Sequence, residues 1–165
     1  MYLTMRNTGL MAAAFLLLMG TTMWAQEPDF RLRDLDNQWK EYSDLKGKEL
    51  TVIDFWATWC QPCIRSIPLL NEMAREFESK GVNFIGVSID GPRNQSKIQP
   101  FLQSMGVEYP VIRDIDSELM SDLGVTAVPT LLMYDSNGDL LFFHEGFRPG
   151  DEDIVRSHIE DYLGH

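Results

Sequence analysis

Two periodicities alternate along this chain, and each change of period marks a new element. The run Thr51–Trp56 is β-branched and aromatic, broken only by Asp54, and predicts a buried strand. After it, Ile64, Ile67, Leu69, Leu70 and Met73 recur at helical spacing, so a helix is expected from the Cys60 turn to about Lys80, stopped by Gly81. Pro68 lies inside that helix and is expected to kink it. Val82–Ile89 reads as a second strand, parallel to the first because a helix joins the two. A loop over Gly91–Gln95 leads to a core-packing stripe of Ile98, Phe101, Leu102 and Met105 that Gly106 ends. Tyr109–Ile112 is a short extended piece, and Ser117 is placed to cap a small helix through Leu123.

The remaining elements follow the same logic. Gly124–Asp135 predicts a strand with Pro129 at its entrance, Ser136–Asp139 a turn, and Leu140–Glu145 a hairpin partner. A loop over Gly146–Gly150 precedes a closing helix, Asp151–Leu163, with Ile154, Val155, Ile159 and Leu163 as its stripe. Asp151, Glu152 and Asp153 suit the positive end of that helix. Upstream, Phe30, Leu32, Leu35, Trp39 and Tyr42 suggest a hairpin around Asp36-Asn37-Gln38, and Ser43–Lys48 a helical turn closed by Gly47. The alternation of strands and helices, without internal repeats, predicts an α/β sandwich.

Composition narrows the class. At 165 residues, with 44% hydrophobic and 24% charged positions, the chain has the make-up of one soluble globular domain. A net charge of −11, not gathered into one tail, argues against nucleic-acid binding. Arg6, the unbroken apolar run Leu10–Met19 and Thr21–Ala25 read as an export signal, residues 1–25, cleaved after Ala25. The alternative is an uncleaved anchor, which would be the one point of membrane contact. Either way the domain is exported, to a compartment where disulfides form.

The chemistry rests on the only two cysteines, Cys60 and Cys63. The first stands where a helix begins and the second one turn in, on the same face. Free N–H groups and the positive end of the helix dipole favour an anion at Cys60, and the thiolate is the nucleophile. Pro62 suits the first turn, where its missing N–H is no loss. A structural disulfide would close too short a loop to constrain the unfolded chain. A zinc site needs two more ligands, and His144, His158 and His165 have no spacing that supplies them. Redox exchange is therefore expected, with no metal and no cofactor; a redox-sensing or metal-handling binding module is the alternative. Asp54 shares a face with Val52 and Trp56 by strand alternation, so its carboxylate is expected to be buried, raised in pKa, and a candidate acid–base group for Cys63. Trp59 is expected to form an exposed docking surface, Trp56 to be core, and Thr58 and Gln61 to shape the loop.

Pro28-Asp-Phe30, Asp44-Leu-Lys-Gly47, Phe55-Trp-Ala-Thr-Trp-Cys-Gln-Pro-Cys63 and Val125-Thr-Ala-Val-Pro-Thr130 together resemble the thioredoxin superfamily. More narrowly they resemble the TlpA/ResA-like thiol–disulfide oxidoreductases of the bacterial cell envelope. The resemblance covers Pro28 to the C-terminus, within residues 26–165. It implies a thioredoxin fold: a central mixed β-sheet flanked by helices, with an N-terminal hairpin and an inserted helical segment. It also implies a cis proline at Pro129 facing the cysteines, with the backbone of Val128 pairing to a substrate peptide. The implied partners are proteins carrying disulfides and an upstream thiol reductant, which could itself sit in the membrane; the implied place is the periplasm or another extracytoplasmic envelope compartment. Asp54 matches the buried aspartate of classical thioredoxins. Many envelope members carry a glutamate three residues after the second cysteine; here that residue is Ser66, so the resemblance speaks for redox chemistry more than for a part in cytochrome maturation. A peroxidase on the same scaffold would usually space its cysteines differently.

Overall fold

A computed structural model describes residues 27–164. The segment read as an export signal, residues 1–25, lies outside the described residues. The described chain opens with the expected hairpin, β1 (Arg31–Asp34) and β2 (Trp39–Glu41), followed by α1 (Tyr42–Leu45). The Asp34 carboxylate closes the hairpin turn by accepting from the N–H groups of Asp36 and Gln38. α1 is capped by Lys46 in an extended conformation, not by Gly47. Gly47 serves a close approach instead: a Cβ there would lie 1.9 Å from the Leu50 carbonyl oxygen.

β3 (Leu50–Trp56), α2 (Gln61–Glu78) and β4 (Val82–Ser88) form the expected parallel unit, with Asp54 opposite Gly86 in the ladder. α2 runs through Pro68 as one helical span. It buries Cys63, Ile67, Leu70, Met73 and Phe77, leaving Ile64 and Leu69 half-buried at the margins. α3 (Gln95–Met105) ends at Gly106, left-handed at φ 65° as a C-terminal glycine should be. β5 (Val111–Arg113) lies parallel to β4 and leads to α4 (Glu118–Asp122).

The cap of α4 differs from the expectation. Ser117 sits at the N-cap position with φ 57° and makes no capping bond; the Asp114 carboxylate takes the N–H groups of Leu119 and Met120 instead. An N-cap hydroxyl reaches back from extended backbone, which Ser117 does not adopt. β6 (Thr130–Asp135) is half the expected strand. It starts only after Pro129, which has no N–H to give a ladder and follows a cis peptide bond from Val128. β7 (Leu140–Glu145) returns antiparallel, and α5 (Asp151–Leu163) closes the chain. In α5, Val155 and Ile159 are buried, but Ile154 is exposed, its position one step round the helix placing it on the solvent side.

The sheet order is β2-β1-β5-β4-β3-β6-β7, mixed because β3 pairs parallel with β4 and antiparallel with β6. It is the α/β architecture expected from the resemblance. Odd and even positions of β3 feed two cores. Val52 and Trp56 pack with α2, α3 and α5; Ile53 and Phe55 pack on the opposite face with Tyr42, Leu45 and Leu119. Every residue of β3 is buried, so whatever this strand carries at its C-terminal end is held in a rigid setting away from bulk solvent.

Candidate active site

At its C-terminal end β3 leaves the sheet, and a three-residue turn, Ala57-Thr58-Trp59, delivers Cys60 to the N-cap of α2. The Cys60 N–H donates to the Ala57 carbonyl at 3.1 Å, and the Cys60 carbonyl accepts from Ile64 at 3.1 Å, so backbone bonds fix the cysteine on both sides. Cys60 and Cys63 are joined as a disulfide, with Cα atoms 5.3 Å apart. The Cys63 N–H donates to Cys60 Sγ at 3.2 Å, so the sulfur fills the place that a serine or aspartate oxygen takes at other helix starts. On reduction, the same N–H and the helix dipole stabilise negative charge on that sulfur.

The two sulfurs are not equivalent. Cys60 keeps 4% of its surface exposed and Cys63 none, so an incoming disulfide meets Cys60 first. Pro62 stands in the first turn of α2, as its missing N–H allows. Trp59, immediately before Cys60, is 57% exposed and offers a broad apolar face beside the disulfide. Trp56 is fully buried and stacks on Phe101 with ring centroids 5.4 Å apart. Val128, before the cis Pro129, packs against the core cluster that contains both cysteines. Its loop is pinned by the Thr130 hydroxyl on the Ala127 carbonyl at 2.8 Å and by Gly146 N–H on the Pro129 carbonyl at 2.8 Å.

Asp54 lies on the β3 face that α2 covers, 1% exposed, and neither carboxylate oxygen has a hydrogen-bond partner. Burial alone pushes its carboxyl up to about 7. A group poised there can take or give a proton near neutral pH.

A second buried carboxylate, Asp90, emerges only in three dimensions. Its oxygens accept from the Thr58 N–H at 2.9 Å, the Thr58 hydroxyl at 2.7 Å and the Ser88 hydroxyl at 3.0 Å, while the Gln95 side-chain amide donates to its carbonyl. Thr58 is part of the cysteine turn, so Asp90 ties that turn to the end of β4. Asp90 follows a strand and precedes Gly91-Pro92, where an aspartate reads as ordinary turn chemistry. Ser66 is buried and its hydroxyl donates to the Cys63 carbonyl at 3.1 Å, a backbone contact of the helix that carries the inner cysteine. Among the described residues no group of three or more His, Cys, Asp and Glu side chains could hold a metal ion.

The chain is similar to known proteins over most of its length. The AhpC/TSA family model matches residues 25–142. The thiol-disulfide oxidoreductase ResA of Geobacillus kaustophilus is 32% identical over 133 residues, 81% of this chain and 74% of that protein. ResA of Bacillus subtilis is 30% identical over 136 residues, 82% of this chain and 71% of the relative. Among solved structures, a Chlorobium tepidum protein assigned as the thiol:disulfide interchange protein DsbE superposes with a TM-score of 0.77 at 32% identity, covering 86% of this chain and 98% of that one. A thioredoxin family protein from the same organism shares the fold at a TM-score of 0.71 and 24% identity, covering 86% and 97% of the two chains. The chain therefore belongs to the AhpC/TSA family, and within it to the ResA-like thiol–disulfide oxidoreductases.

Proposed function

We propose that this protein reduces disulfides in exported proteins, with Cys60 as nucleophile, Cys63 as resolving thiol and Asp54 as the acid–base group of the second step. The asymmetry of the two sulfurs carries the reading: the outer one sits at a helix N-cap, the inner one is sealed in the core on the face that holds an unpartnered carboxylate. In the first step the Cys60 thiolate attacks one sulfur of the substrate disulfide, forming a mixed disulfide and releasing the other substrate sulfur as a thiolate. In the second, Asp54 takes the Cys63 proton, and the Cys63 thiolate attacks the Cys60 sulfur. The enzyme closes as the Cys60–Cys63 disulfide and the second substrate thiolate leaves. Two electrons pass from enzyme to substrate, and an upstream thiol reductant must return them.

The substrate backbone lies along Val128, ahead of Pro129, with Trp59 and Pro62 as the apolar rim. The reducing direction is supported by Asp54. A carboxylate with no counter-cation disfavours negative charge on the inner sulfur, which favours the closed disulfide over the open thiolate. Placement in the periplasm or another envelope compartment is supported by the charged, apolar, then small-residue order of residues 1–25.

The test is covalent trapping. Cys63→Ala in the native host should accumulate mixed disulfides on Cys60, and Cys60→Ser should accumulate none. Retained disulfide reductase activity in Cys60→Ser would defeat the proposal, and a Cys63→Ala variant that traps nothing would favour a redox sensor without turnover.

A further inference from the structure

Seven buried side-chain polar atoms among the described residues lack a hydrogen-bond partner, and four of them belong to three residues gathered around Gly86. They are both oxygens of Asp54, Nε1 of Trp56 and the hydroxyl of Tyr109. Asp54 is the ladder partner of Gly86. A Cβ on Gly86 would lie 3.1 Å from Trp56 Nε1, 3.1 Å from the Tyr109 ring and 3.0 Å from Val111 Cγ2. The missing side chain at Gly86 therefore lets an indole N–H and a phenol close over the strand beside the carboxylate. Buried polar atoms in this density are ordinarily joined by water, which needs two to four such partners.

Tyr109 also has a second neighbourhood. With Arg75, Glu78, Asn83, Phe84 and Glu108 it lines a surface cleft of about 190 Å³ between α2 and the start of β4, across which Arg75 and Glu108 pair at 2.9 Å. The cleft lies on the stretch of α2 three turns beyond the cysteines. A polypeptide bonded to Cys60 covers the one of the two sulfurs that keeps any exposed surface, so a proton on Asp54 leaves by another side of the core.

We propose that Tyr109 is a positioning residue for the exchange, whose buried hydroxyl with the Trp56 N–H holds bridging water against Asp54 and so relays the proton taken from Cys63 towards the side of the core that Tyr109 shares with the rear cleft. The proposal rests on the reading of Asp54 as the base for Cys63. The step balances simply. Cys63 S–H gives its proton to an Asp54 oxygen, the carboxylic acid passes one to water, and the Tyr109 hydroxyl donates to and accepts from that chain with no net charge change of its own. Burial, and after it the Asp54 charge, hold the phenol well above the ordinary tyrosine range, so it stays a neutral donor and acceptor throughout. The groups facing Asp54 are few. On its face of the sheet α2 carries the buried Cys63, β4 and β6 supply the non-titrating ladder neighbours Gly86 and Leu131, and the segment before β5 brings Tyr109 within reach of the Asp54 charge; Arg75, Glu78 and Glu108 stand at the cleft.

The experiment mixes the reduced protein rapidly with a symmetric aromatic disulfide that releases one coloured thiolate when Cys60 attacks and a second when Cys63 resolves. Tyr109→Phe should keep the first phase within about twofold, slow the second about tenfold, and displace its pH midpoint. A second phase with unchanged rate and midpoint overturns the proposal. Should Tyr109→Phe melt early, Gly86→Ala carries the test, since its methyl enters the same space; it too should slow the second phase, and no change there overturns the proposal equally. Asp54→Asn separates the two ideas. If it leaves the second phase untouched, the base assignment itself is wrong; if it slows that phase while both other variants do not, only the Tyr109 route is wrong.

Discussion

Two buried aspartates stand at the cysteine end of the sheet, and they are opposites. Asp90, wholly buried, is met by three donors on its carboxylate, two of them from Thr58 in the cysteine turn. Asp54, equally buried on central β3, is met by none. Burial by itself therefore does not assign a role to a carboxylate; the partners do. A carboxylate with its donors in place is a fastening, strong because the interior strengthens each bond. One without them stores a penalty that protonation relieves, and the role proposed for Asp54 beside the inner cysteine uses that penalty to move a proton.

The largest effects are expected at Asp54. Asp54→Asn should slow the resolving step on the order of 100-fold, a loss typical of removing a general base, and leave attack by Cys60 nearly intact. Its stability effect has the reverse sign. The folded carboxyl titrates at about 7, above its value in the unfolded chain, so the folded state binds the extra proton between about pH 4 and 7. Stability from this group is thus full below the unfolded value and declines as pH rises through about 7, by on the order of 4 kcal/mol in all. Denaturant melts of the oxidised protein should show that decline, and Asp54→Asn should lack it and be the more stable protein at pH 8.

Asp90→Ala should do the contrary. It orphans the Thr58 N–H and loosens the turn, costing about 3 kcal/mol of stability with a smaller loss of rate than Asp54→Asn, measured in the same melts and rapid-mixing traces. Asp114 serves as the control, buried like the other two but remote in task. It caps α4 through Leu119 and Met120, so Asp114→Ala should cost about 1–2 kcal/mol and leave both exchange phases unchanged. The smallest effect is expected at Trp59, whose exposed ring has no core to lose. Trp59→Ala should leave the melting temperature alone and raise KM for protein disulfides about threefold to tenfold, with little change for a small aromatic disulfide.

Asp54 could be found in the sequence because it interrupts an apolar run, and period-two alternation alone puts it on the Val52 and Trp56 face. The cysteine pair was legible for a similar local reason, the change from strand period to helix period across Trp59. Asp90 was not. Its partner Thr58 is 32 residues away, and nothing in the spelling of either residue announces the contact. The same limit explains the caps. Ser117 has the composition of an N-cap, but its left-handed backbone passes the task to Asp114, three residues upstream. Gly47 looks like a helix stop and is instead a point of contact with the Leu50 carbonyl. The second half of the Gly124–Asp135 strand was readable from its β-branched and apolar residues; the first half is not strand, and the ladder begins only after Pro129, which has no N–H to give it. Local period carries the elements and one of the two carboxylates, while everything that depends on who meets whom across the sheet waits for the fold.

If an unpaired carboxyl in the core shares its proton with the inner cysteine, the titration of that carboxyl carries the signature. Carbon-13 labelling of aspartate side chains follows Asp54 in the oxidised protein and again in the reduced one. The expected midpoint lies near 7 in the oxidised state, and in the reduced state the titration is shared with Cys63 and vanishes in Asp54→Asn. An Asp54 resonance that titrates in the ordinary carboxylate range near 4, indifferent to the redox state of Cys63, would contradict it.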